Sequence, residues 1–129
     1  MYHREQFIRA VADFNEGRYS ECHDALESLW TNAVGVHRRF LQGMLQMEFG
    51  VRHLALGYHE GAYHQFSRAL PKFLDLPADY MGIDLERLRT DLGGMVERIA
   101  ANRGQGAGAA EGVALPAIAV LDEPIRPEL

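Results

Sequence analysis

The stretch Phe40–Gly57, FLQGMLQMEFGVRHLALG, decides the fold. Wound at 100° per residue, it is apolar on two opposite sides, and Gln42, Gln46 and His53 fall within about 40° of one another. Gly43, Gly50 and Gly57 recur every seven residues and form a second stripe, without side chains. A helix of this kind packs between neighbours instead of lying on a surface. A glycine stripe lets another backbone come close, and the polar stripe beside it then needs buried partners. The pattern gives an address for a site and no activity.

Working outward, four further helices and no strand can be read, so the expected class is all-α. About Tyr2 to Asn15, Phe7, Ile8, Val11 and Phe14 share a face, and Asn15-Glu16-Gly17 is a stop signal. A second helix from Tyr19 or Ser20 to about Ala33 carries Cys22, Leu26, Leu29 and Ala33, with Ser20 expected as its N-cap. The central helix is expected over Val36 to Gly57. A fourth, His59 to Leu74, buries Ala62, Tyr63, Phe66, Ala69, Leu70 and Phe73, and Pro71 predicts a kink or early end. Asp84 caps a fifth that runs to about Ala101 with Leu85, Leu88, Leu92, Met95, Val96 and Ile99 as its stripe. Residues 1–101 thus read as a helical domain, 102–112 as a flexible Gly/Ala-rich linker and 113–129 as an extended tail. Within that tail Leu115–Leu121 is apolar enough to dock on a groove, in this molecule or a partner. The segments beginning at Gly17 and at Gly57 echo each other forty residues apart, each turning at glycine into an amphipathic helix. That is the logic of tetratricopeptide-type hairpins, and the expected arrangement is five helices in antiparallel pairs.

At 129 residues the chain suits one domain with a genuine core. Its formal charge of −5, with no face that collects cations, argues against nucleic acid as a partner. Lysine occurs once, at Lys72, against twelve arginines, which a GC-rich genome explains. A single cysteine excludes an intramolecular disulfide. The polar start and the lack of an apolar run of about 18 residues argue against a secretory leader or a membrane span, so a cytoplasmic location is expected.

The runs Phe14–Trp30 (FNEGRYSECHDALESLW), Phe40–Gln46 (FLQGMLQ), His53 and Tyr80–Asp84 (YMGID), in that order, resemble the small bacterial proteins grouped as domain-of-unknown-function family 309. The family pattern has a small residue before the first histidine, where this chain has Cys22, and the tail lies outside the resemblance. The resemblance implies a compact all-helical array and no assigned activity.

Two constellations can carry chemistry. His23 and Glu27 lie four apart on one helix face, suited to one divalent ion or to a base and its orienting carboxylate. If the second and third helices pair, Gln42, Gln46 and His53 would face them. The five residues would then form a polar cluster walled by Tyr19 and Trp30, with His23, Glu27 and His53 as the metal-ligand set. The same five can equally be a buried network that fixes how helices pack, with His53 bonded to Glu27. Cys22 reads as a small buried hydrophobe. The leading expectation is a non-enzymatic binding or interaction module with a protein partner or a self-associating apolar face. The alternative is a metal-binding protein or a metal-dependent hydrolase at His23, Glu27 and His53, with a divalent metal as cofactor.

Overall fold

The computed structural model describes residues 3–102 and 115–121. The expected all-α class holds: the helices are α1 (Arg4–Asn15), α2 (Tyr19–Asn32), α3 (Gly35–Ala55), α4 (His59–Ala69) and α5 (Leu85–Ala101). Two short 3-10 turns, Leu70–Phe73 and Tyr80–Gly82, lie between α4 and α5. Each helix packs on the next in chain order, and the α3–α4 pairing is the most extensive. The expected linker and much of the tail fall outside the described residues; residues 115–121 run extended, with one antiparallel bridge between Ile83 and Val120.

The echo at forty residues is a repeat of one turn. Gly17 and Gly57 have φ of 81° and 80°, the left-handed region open to glycine. At the first turn Arg18 N–H donates to Asp13 C=O (2.8 Å) and Gly17 N–H to Phe14 C=O (3.1 Å). At the second, Tyr58 N–H donates to His53 C=O (2.8 Å) and Gly57 N–H to Leu54 C=O (3.1 Å). These paired bonds satisfy the last carbonyls of α1 and α3 in the Schellman manner. The glycine therefore starts the connection at both places, and Ser20 is not the expected cap: α2 begins at Tyr19 with Arg18 before it and no side-chain cap. Asp84 caps α5 as expected, its carboxylate accepting from Arg87 N–H at 3.0 Å.

The glycine stripe does what a stripe without side chains permits. A Cβ on Gly43 would collide with the Phe73 ring, and one on Gly50 with the Phe66 ring, both rings being fully buried. α4 and its continuation thus lie directly on the α3 backbone. The fourth helix ends early, passing into a 3-10 turn at Leu70, because Pro71 has no N–H for the α-helical ladder. Phe40 sits at the aromatic centre, its ring centroid 5.6 Å from Phe7, 5.7 Å from Phe73 and 4.7 Å from Tyr80.

Two glycine replacements should have opposite signs. Gly50→Ala gains helix propensity but drives a methyl into a locked ring, so urea unfolding should show a loss of about 1–3 kcal/mol. Gly94→Ala, on the open side of α5 with nothing within 4 Å, should gain up to about 1 kcal/mol.

Candidate functional site

The polar centre of the molecule is a residue outside the expected cluster. Glu48, on α3, is the one charged side chain fully buried among the described residues. Its Oε1 accepts from Arg52 Nη2 at 3.0 Å and faces His23 Nδ1 at 3.0 Å; its Oε2 accepts from Arg52 Nε at 2.6 Å. Arg52 also donates from Nη2 to the Tyr19 carbonyl at 2.9 Å, which ties α3 to the first residue of α2. His23 spans the other way, with Nε2 facing Glu27 Oε2 at 3.0 Å. Both His23 nitrogens therefore face carboxylate oxygens, so the ring bridges Glu48 of α3 and Glu27 of its own helix. Burial pushes the Glu48 carboxyl above its ordinary pKa, while the bonds and charges of Arg52 and His23 pull it back.

The five expected cluster residues are only partly brought together. His23 and Glu27 meet as their spacing implies. Gln42 is exposed, and Gln46 is half-buried with its Oε1 enclosed and no hydrogen-bond partner in the structure. His53 does not bond Glu27: its Nδ1 donates to the Phe49 carbonyl at 2.7 Å, and its ring lies over Gly61 of α4. The glutamine–histidine stripe does not meet α2 because the buried faces of α3 are taken by Phe40, Leu41, Met44, Met47, Val51 and Leu54. Among the described residues no group of three or more His, Cys, Asp and Glu is placed to hold a metal ion.

Of the expected walls, Tyr19 is half-buried, its ring 5.8 Å from Phe14. It lines a surface cavity of about 520 Å³ with Arg18, Glu21, Arg52 and Leu56. Trp30 is away from that cavity and is covered by the Arg38 guanidinium, 4.1 Å from its ring centroid. Beside the polar centre Phe49 stands 38% exposed, its ring 4.8 Å edge-on from His23, followed by Leu56 at 69% and Tyr58 at 62%. The one signal for Glu48 in the sequence is an acid four residues before an arginine, the sole acid of the helix.

These features define a small all-helical protein whose central helix carries a buried Glu–Arg–His network, with no helix among the described residues long and apolar enough to cross a membrane. The model of the family described as Domain of unknown function (DUF309) matches residues 7–64, from within α1 through α2 and α3 to the first half of α4. The resemblance carried by the Phe14–Trp30 and Phe40–Gln46 motifs is thereby shown over that stretch, and Tyr80–Asp84 lies beyond it. No curated protein matches the sequence.

Two variants probe the network. Arg52→Met leaves Glu48 buried with His23 alone, and at pH 8 should lower the unfolding free energy by about 2–4 kcal/mol. The folded chain holds the Glu48 proton more tightly than the unfolded chain does, so this group's contribution to stability rises as pH falls through its folded pKa. The deficit of Arg52→Met should accordingly shrink between pH 8 and pH 5.5 in urea titrations. Cys22 is buried and its thiol is pushed up to about 12, mainly by desolvation and then by the Glu48 charge. At pH 8 an aromatic disulfide reagent should react with native Cys22 about a thousandfold more slowly than with the urea-unfolded chain.

Proposed function

We propose that this chain is a non-enzymatic helical interaction module. The buried network acts as its lock, and the outward strip of α3 and the following turn acts as its working surface. The observation that carries this reading is that both Glu48 oxygens are already engaged by Arg52 and His23 of the same chain. A carboxylate so enclosed, with both oxygens bonded within the chain, fixes the packing of α2 on α3. The outward face of the neighbourhood carries exposed apolar side chains among its charged ones: Phe49 on α3, Leu56 seven residues on at its C-cap, and Tyr58 after the turn. Exposed apolar groups gathered beside a rigid polar centre suit a protein surface, and a second copy of the chain is the first partner to test.

Sedimentation velocity from about 1 to 200 µM should show concentration-dependent association that Leu56→Asp weakens at least about tenfold. A wild-type chain that stays monomeric over that range would overturn self-association on this strip. Elemental analysis of protein purified without chelator tests the metal-dependent alternative at His23, Glu27 and His53. About one equivalent of a divalent ion per chain, lost in His23→Ala with the fold intact, would favour the alternative of a metal-binding protein or metal-dependent hydrolase over this reading. The expected outcome is no stoichiometric metal and a His23→Ala chain of lower stability.

A further inference from the structure

The described part of the tail is held in a manner that resembles a bound peptide. Ile118 is 2% exposed, and Pro116 is buried with it while Leu115, Ala117 and Val120 face outward. From 115 to 118 the alternation is that of an extended strand with one face in a groove, and it ends before Val120. Its backbone is read at both edges. On one side the Asn15 side-chain amide acts as a strand would: Nδ2 donates to the Ile118 carbonyl at 2.8 Å, and Oδ1 accepts from Ile118 N–H at 2.9 Å. On the other side Asp84 N–H donates to the Ala119 carbonyl and Leu121 N–H to the Gly82 carbonyl, both at 2.8 Å. Leu115, Pro116 and Ala117 then border a second cavity of about 520 Å³ with Arg87, Met95 and Arg98 of α5.

We propose that the groove between the end of α1 and residues 82–84 is a recognition site for an extended Pro-x-aliphatic segment. It is filled in cis by residues 115–121, and it accepts the same segment from a second copy of the chain. The bonds and buried side chains that seat the segment, its backbone with Pro116 and Ile118, belong to the segment itself, so an identical segment from a neighbour can make the same contacts. The hold is local, four main-chain hydrogen bonds and one deeply buried aliphatic side chain, so release requires no unfolding of the helices. A segment tethered to its own groove competes at an effective concentration of the order of millimolar, so exchange is hidden in the wild type at ordinary concentrations. It becomes visible when cis pairing is disabled in each partner differently.

The test mixes two full-length chains, both carrying Leu56→Asp so that the α3 strip contributes no association. One adds Ile118→Asp, which keeps the groove and disables the segment. The other, labelled with ¹⁵N, adds Asn15→Asp, which keeps the segment and replaces the amide donor by a second acceptor facing a carbonyl. Native mass spectrometry at about 100 µM of each should show a heterodimer in the mixture and monomers in each chain alone. A fluorescein-labelled peptide of residues 114–122 should bind the Ile118→Asp chain at least about tenfold more tightly than the chain that also carries Asn15→Asp. Circular dichroism checks that the helices persist, and Ile118→Ala replaces Ile118→Asp if the latter unfolds. Monomers throughout, or peptide binding without a heterodimer, would overturn exchange between copies; loss of peptide binding as well would overturn the recognition site.

Discussion

Burying an ionised carboxylate is among the more expensive things a small helical protein can do, and the packing around α3 is organised by how Glu48 is compensated. Arg52 meets it from one turn further along the same helix, a spacing that any α-helix supplies. His23 meets it from α2, and Arg52 reaches on to the Tyr19 carbonyl at the start of α2. The charge is therefore satisfied only when α2 sits at one height and one rotation on α3. Apolar contact alone is tolerant of sliding; a buried acid with directional partners is not. The network thus selects one packing among several that the hydrophobic stripes of α2 and α3 would accept.

The opposite side of α3 is fixed by sterics instead of charge. Gly43 and Gly50 leave the backbone bare where Phe73 and Phe66 cover it, and α4 comes close enough that a methyl group would not fit. From there the aromatic contacts run inward through Phe40 to Phe7 and outward to Tyr80. Tyr80 accepts or donates a hydrogen bond at His37 Nδ1, 2.9 Å away, so the loop before α5 is tied to the start of α3. Burial lowers the His37 pKa, in keeping with a ring packed against Phe40. One helix is consequently gripped by electrostatics on one flank and by ring-on-backbone packing on the other, which is why its sequence is apolar on two sides at once.

The helices were legible because their signals are local. Gly17, Gly57, Pro71 and Asp84 punctuate the chain through backbone rules that need no tertiary knowledge, and four of the five helices end within about two residues of where those rules put them. The fourth stops five residues short of Leu74, the early end that Pro71 allows, with a 3-10 turn taking over at Leu70. The site was less legible for a different reason. His23 and Glu27 are neighbours by spacing, but which flank of α3 they meet depends on helix rotation, and the flank they meet carries Glu48, while His53 of the polar stripe lies over α4. A polar stripe beside glycines is compatible with burial or with exposure. The arbiter is whether a fully enclosed acid has its cation nearby, and Glu48 with Arg52 meets that condition where the glutamines do not.

Asn15 shows how a single side chain can serve two levels of the structure. It closes α1, immediately before the glycine turn that launches α2, and its amide presents one donor and one acceptor in the spacing of a strand edge. An all-helical domain has no edge strand to offer an extended segment, so the docking of residues 115–121 needs such a substitute on one side and the irregular 82–84 backbone on the other. Gly82, with φ of 79°, and Met81, with φ of 58°, turn that backbone so that its carbonyl and the Asp84 N–H face the segment while Asp84 still caps α5. The groove is thus assembled from a helix end, a left-handed turn and a helix cap, each of which the fold requires for other reasons. Recognition of an extended peptide arises here at the places where helices stop, because only there are unpaired main-chain groups available to be read.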